Sequence, residues 1–110
     1  MEFSECIKRD LFRYGLSGRK GFFRGLVIPG FLYIYVFRKI RHCKIAVIRV
    51  FYKIILKLLS FAFGFQIPPA VNIGHGMYLG HHGSVIINPS VVIGNNTAIS
   101  PGVTIGLSPR

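Results

Sequence analysis

Ile67-Pro68-Pro69-Ala70-Val71-Asn72-Ile73-Gly74-His75-Gly76-Met77-Tyr78-Leu79 decides the fold, because its aliphatic residues Ile67, Ile73 and Leu79 return at every sixth position. The same spacing reaches Val85 and, after a slip of two residues, resumes as Ile87, Ile93, Ile99 and Ile105. The position four after each is mostly small or β-branched (Val71, Gly83, Val91, Thr97, Val103), with Met77 the bulky exception. Neither a helix, with a period of about 3.6, nor an alternating strand yields a strict six. Hexads of this kind build a parallel β-helix in which three hexads make one turn of a triangular coil. The recurring aliphatic points into the prism and stacks on its equivalents. Gly74, Gly94, Asn95, Asn96 and Gly102 fall near the corners, where a positive φ suits glycine and is tolerated by asparagine.

Outward from this core, the charge is distributed unevenly. The three acids, Glu2, Glu5 and Asp10, lie in the first ten residues, and thirteen of the fourteen Lys and Arg lie between Lys8 and Lys57. Leu58 to Pro109 carries no charge except histidine. The chain reads as α+β: a basic, aromatic-rich helical segment over residues 1–66, then a hexapeptide-repeat β-helix over 67–110. Cys6 and Cys43 are too few and too far apart for a disulfide framework or a metal cluster, so free thiols in the cytoplasm are expected. No secretory signal is visible near the acidic start.

Leu26–Phe37 is apolar but short and contains Pro29-Gly30, whereas a bilayer span needs about twenty apolar residues. Ile45–Phe65 is long enough, but Arg49, Lys53 and Lys57 interrupt it, each costing about 2.5–3.5 kcal/mol inside a bilayer. Their four-residue spacing makes one basic stripe on a helix, continued backwards through His42 and Arg38. An amphipathic helix is expected from Tyr35 to about Ala62, with room for a break. Three readings compete for it. The apolar face packs on the β-helix or a partner while the stripe is solvated; or Arg49, Lys53 and Lys57 face an anionic membrane surface; or the charge binds nucleic acid. The last lacks any recognition motif, and no nucleic-acid partner is expected.

Residues able to do chemistry are few. The C-terminal half has no paired carboxylates, no metal-ligand spacing and no phosphate loop, so no metal is expected. The glycine-rich Gly15–Gly21 does not match a P-loop and reads as a turn. Histidine remains, and His81-His82 is an adjacent pair placed where the hexad register slips. A local break in a regular repeat is a common mark of a working site. His75 and His42 keep structural readings.

Gly64 to His81, with its Ile67-Pro68-Pro69-Ala70 start and its Leu79-Gly80-His81 end, resembles the first coil of the serine O-acetyltransferase family of hexapeptide-repeat acyltransferases. Val85 to Gly106, ending Ser100-Pro101-Gly102-Val103-Thr104-Ile105-Gly106, is similar to the hexads that follow. More loosely, Asp10–Gly15 and Pro29-Gly30-Phe31 resemble a subgroup associated with capsule and exopolysaccharide synthesis. The resemblance implies a left-handed β-helix, a homotrimer with sites between prisms, and acetyl-CoA as co-substrate. It makes His81 the catalytic residue, a general base that takes the acceptor hydroxyl's proton; such a group contributes about 10²–10⁴-fold.

Two departures bear on the acceptor. The family has aspartates where this chain has Gly80 and Gln66, one to hold the amino acid and one to orient the histidine. Without them, recognition of serine's ammonium loses its anion, and a sugar hydroxyl in polysaccharide biosynthesis becomes the favoured acceptor. His82 replaces a small residue, as either a second polar group of the acceptor site or an inert neighbour. The resemblance also implies further coils, with a second histidine and the CoA cradle, beyond residue 110. A truncated gene product is therefore expected, and the alternative function is a catalytically inactive remnant or a membrane-surface or assembly module.

Overall fold

The computed structural model describes residues 2–80, 84–100, 102 and 104–105. Four helices come first: α1 (Phe3–Arg13), α2 (Gly18–Gly25), α3 (Pro29–His42) and α4 (Ala46–Phe63). Seven short strands follow: β1 (Phe65–Gln66), β2 (Asn72–Ile73), β3 (Tyr78–Leu79), β4 (Val85–Ile87), β5 (Val92–Ile93), β6 (Ala98–Ile99) and β7 (Thr104–Ile105). They pair in parallel as β1-β4-β7, β2-β5 and β3-β6, so each sheet is built from successive turns of one coil. Helices followed by short parallel strands agree with the expected α+β class, and the parallel pairing agrees with the hexad pattern.

The register explains the slip. Phe65 lies beside Val85, Asn72 beside Val92 and Tyr78 beside Ala98, an offset of 20 residues. Ile86 lies beside Thr104 and Ile87 beside Ile105, an offset of 18, which is three hexads. Because Asn72 and Tyr78 keep the six-residue step, the two extra residues fall between Leu79 and Ile86. Ile87, rather than Val85, is the equivalent of Ile67, while Val85 stacks on Phe65. Ile67, Val71, Met77, Leu79, Val85 and Ile87 are buried, as are Ile93 and Ile99. The corner after β2 repeats from coil to coil. Gly76 and Asn96 both take positive φ, and the Asn96 amide donates to the His75 carbonyl at 2.7 Å.

The helical half corrects three expectations. The helix expected from Tyr35 to Ala62 is two helices separated at Cys43–Ile45. A continuous rod of that length would run about 42 Å. Folded as a hairpin, its two arms instead bury Tyr33, Ile34, Val36, Phe37 and Ile40 of α3 and Leu56 of α4 in the core that holds the coil interior. Pro29, whose missing N–H and fixed φ suit a first helical position, opens α3. Gly64, in the left-handed region, ends α4 and turns the chain into β1.

The basic stripe does not run back to Arg38, which is only 4% exposed. Its guanidinium donates to both carboxylate oxygens of fully buried Asp10, at 2.8 and 3.0 Å. The glycine-rich Gly15–Gly21 is only partly a turn. Gly15 takes a positive φ after α1, but Gly18 already begins α2. The apolar stretch at Leu26–Phe37 supplies a buried core helix. Among the described residues no single helix is long and apolar enough to cross a membrane; α2 and α3 together carry the length but meet at 102°.

The helices supply the hydrogen bonds that a preceding coil would have made. Tyr33 serves Ile67, next to β1. Arg38 donates to the carbonyls of Ile73 and Gly74 at 2.9 and 2.7 Å. Arg41 reaches the Pro69 carbonyl and the Asn72 side chain. At β3, the Met77 amide donates to Asp10 at 2.8 Å, and Tyr14 serves Leu79. Open strand edges and unpaired terminal repeats are costly, and solenoids need caps. Here the cap is a set of side chains.

Candidate active site

His81 and His82 lie outside the described residues, in the segment that holds the two extra residues of the first coil. The residues on either side are placed by the ladder: the Gly80 amide donates to the Ile99 carbonyl at 3.1 Å, and the Gly102 amide to the Ser84 carbonyl at 2.6 Å. Gly80 is half-buried, and its φ is not in the left-handed region. Among the described residues a Cβ there would approach only Tyr78 Cε1 at 3.7 Å and the Ile99 carbonyl oxygen at 3.8 Å, both ordinary contacts. Packing among these residues therefore does not exclude a Cβ at this position.

Gln66 is exposed between the fully buried side chains of Phe65 and Ile67. The alternation of a strand turns its neighbours inward and Gln66 outward, in line with Ile86 of the next coil. It lines a cleft of about 710 Å³ between α4 and the first corner of the coil, together with Lys53, Lys57, Ser60 and Pro68. The structure thus brings Gln66 together with two of the three cations read from the helix. Gly80 does not line this cleft, and neither does Arg49, which is half-buried with its Nε enclosed and unpartnered among the described residues.

The cleft is cationic and has no carboxylate. Glu5 pairs with Arg9 and Asp10 with Arg38, and no acid follows Asp10 in the chain. Tyr33 also reaches the cleft, but its hydroxyl is committed to Ile67, and burial pushes its pKa up to about 12. It is a structural group that stays neutral through the physiological range. Burial likewise raises Tyr14 well above the ordinary phenol value, with the Asp10 charge adding to the effect.

His75 sits at the repeated corner. Its amide donates to Asn95 Oδ1 at 3.1 Å, and its Nδ1 is enclosed without a partner among the described residues. No group of three His, Cys, Asp or Glu able to hold a metal ion occurs among the described residues. Cys6 is buried, Cys43 half-buried, and both are free.

The role of Asp10, Tyr14, Tyr33 and Arg38 in holding the coil's first turn was not legible in the sequence: Arg38 read as part of the basic stripe, and Asp10 and Tyr14 entered only through the Asp10–Gly15 resemblance. The available signals were an acid, Asp10, followed by Leu11 and Phe12 in α1 and an arginine that ends the apolar run Phe31–Phe37 of α3.

No protein-family profile matches the chain. Serine acetyltransferase 2 of Arabidopsis thaliana is 46% identical over 48 residues, which are 44% of this chain and 15% of that protein. The serine acetyltransferase (CysE) structure of Neisseria gonorrhoeae superimposes with a TM-score of 0.73 at 27% identity, over 98% of this chain and 44% of that one. The fold is shared with serine acetyltransferases. A serine acetyltransferase in complex with cysteine (TM-score 0.73, 23% identity, 98% of this chain and 46% of that one) shows the same fold. So does one in complex with CoA (TM-score 0.69, 24% identity, 93% and 45%). This chain spans less than half the length of those structures. In fold and in local sequence it is serine acetyltransferase-like.

Proposed function

We propose that the chain is part of an acetyl-CoA-dependent O-acetyltransferase. The observation that carries this reading is the helix-capped parallel coil, matched over 98% of the chain by a serine acetyltransferase structure. A relative with 46% identity over 48 residues supports it.

In this reading His81 is the general base. Its imidazole takes the proton from the acceptor hydroxyl as the oxygen attacks the thioester carbonyl, then returns it to the departing sulfur. Acetyl ester and free thiol are the products, and no acyl-enzyme forms. Holding the two reactants in line supplies much of the rate. His82 and Gln66 are acceptor-site candidates.

The acceptor is a sugar hydroxyl rather than serine. An ammonium group needs an anion, and Gly80 and Gln66 provide none, while Lys53 and Lys57 beside Gln66 repel a cation. Sugar hydroxyls are neutral and suit a site of amides and backbone groups. The likeness to the capsule-associated subgroup agrees with such an acceptor. From the same resemblance we take the left-handed winding and the homotrimer, for which the outward-facing Ile86 and Val92, 39% and 73% exposed, offer an apolar contact surface. A cytoplasmic location agrees with the free thiols of Cys6 and Cys43.

The test is acetyl-CoA-dependent thiol release with serine and with a panel of sugars and nucleotide sugars. Release with a sugar but not serine supports the whole reading. Release with serine alone overturns the sugar assignment, and no release with any acceptor overturns activity of this chain.

A further inference from the structure

We propose that α4 seats the chain on an anionic lipid surface. The helix is apolar on two faces. Tyr52, Ile55, Leu56, Leu59 and Phe63 pack into the core that holds the coil. Val47, Val50, Phe51, Ile54, Leu58 and Phe61 do not; they are 55–79% exposed, at spacings of three and four that place them along one stripe. Six large hydrophobics in one outward stripe exceed the scattered apolar exposure normal for a surface. The fold needs only the inner face.

Charge identifies the occupant. Lys53 and Lys57 border the stripe, each three residues after a member of it (Val50 and Ile54), and Lys44 lies just before the helix. Lysine stems extend along apolar surface while their ammonium groups reach the headgroup layer. A second copy of the chain is a poor occupant, because it brings the same cations and few acids. Glu5 and Asp10 are already paired with arginines, and only Glu2 remains. An anionic leaflet supplies negative charge and an apolar interior together.

The experiment is flotation of the 110-residue chain with vesicles of phosphatidylcholine, and with vesicles in which part of it is replaced by phosphatidylglycerol. Recovery with the anionic vesicles alone, declining as salt is raised, is expected. Lys53→Glu with Lys57→Glu should weaken this binding by at least about 25-fold, about fivefold for each lysine lost. Phe51→Ser with Leu58→Ser should abolish it while leaving the circular dichroism spectrum unchanged, since both side chains lie outside the core. No flotation, equal flotation with both vesicles, or flotation unaffected by either double variant overturns the proposal. So does sedimentation showing an oligomer of the unmodified chain that Phe51→Ser with Leu58→Ser dissociates, since a second copy would then cover the stripe.

Discussion

The hydroxyl of Tyr33 donates to the carbonyl of Ile67 at 3.0 Å and accepts from the amide of the same residue at 3.1 Å. One side chain thus does for Ile67 what a neighbouring strand does elsewhere in the sheet. Tyr33→Phe would keep the ring and strand two buried backbone groups, at about 1–3 kcal/mol each. A matching loss is expected for Tyr14→Phe at Leu79. Chemical denaturation of the two variants checks both.

The same hydroxyl gives alkaline sensitivity. Burial raises Tyr33 from its usual value near 10 to about 12 in the fold, so the folded state favours the neutral form. The associated stability is fully present below pH 10 and declines as the pH rises through about 12. Unfolding followed by circular dichroism should show that decline. It should be shallower in Tyr33→Phe than in the unmodified chain.

Asp10 and Arg38 form a buried pair that spans α1, α3 and the first coil. Removing one partner leaves an uncompensated charge, so Asp10→Ala is expected to cost about 3–5 kcal/mol. Replacing both residues with apolar ones of similar volume should recover part of that, although the carbonyls of Ile73 and Gly74 lose their donor. A double-mutant cycle in urea measures the coupling.

Two glycines should respond in opposite ways. A Cβ on Gly30 would lie 2.3 Å from the Leu79 carbonyl oxygen, so Gly30→Ala must push α3 off β3 and should destabilise by several kcal/mol. A Cβ on Gly80 meets only ordinary contacts among the described residues, so Gly80→Asp should leave stability nearly unchanged. If the missing carboxylate sets the acceptor, this variant should gain thiol release with serine; no gain would count against that role for Gly80.

His81→Ala is expected to lower acetyl transfer by about 10²–10⁴-fold, whereas His75→Ala should retain it. The readout is kcat with both substrates saturating. Comparable rates for the unmodified and His81→Ala chains would remove His81 from the proposed chemistry.

Legibility in the sequence followed the range of the interactions. The hexads are local, and each aliphatic residue stacks on one about 18 or 20 positions away, so the coil and its two-residue slip could be read from spacing alone. The α3–α4 hairpin and the pairing of Asp10 with Arg38 depend on partners far along the chain with no period to announce them. Arg38 therefore read as part of a basic stripe. α4 was ambiguous for a related reason: Ile55 and Leu59 turn inward while Val47, Phe51, Ile54 and Leu58 turn outward, and composition does not distinguish them. At the site, Gln66 and Gly80 stood out as departures from a resemblance, but the proximity of Lys53 and Lys57 to Gln66 emerged only when α4 folded back.

The helical cap also gives the coil a direction of growth. Its first turn is closed by tyrosine, arginine and aspartate side chains fitted to particular backbone atoms, while β5, β6 and β7 have a free side among the described residues. Insertion of a three-hexad unit between the first and second turns keeps every strand facing another strand. The same insertion before Phe65 would carry Ile67, Ile73 and Leu79 away from the groups shaped to receive them. Length variation in this architecture is thus one-sided, and the helices act as the fixed origin from which each coil is counted.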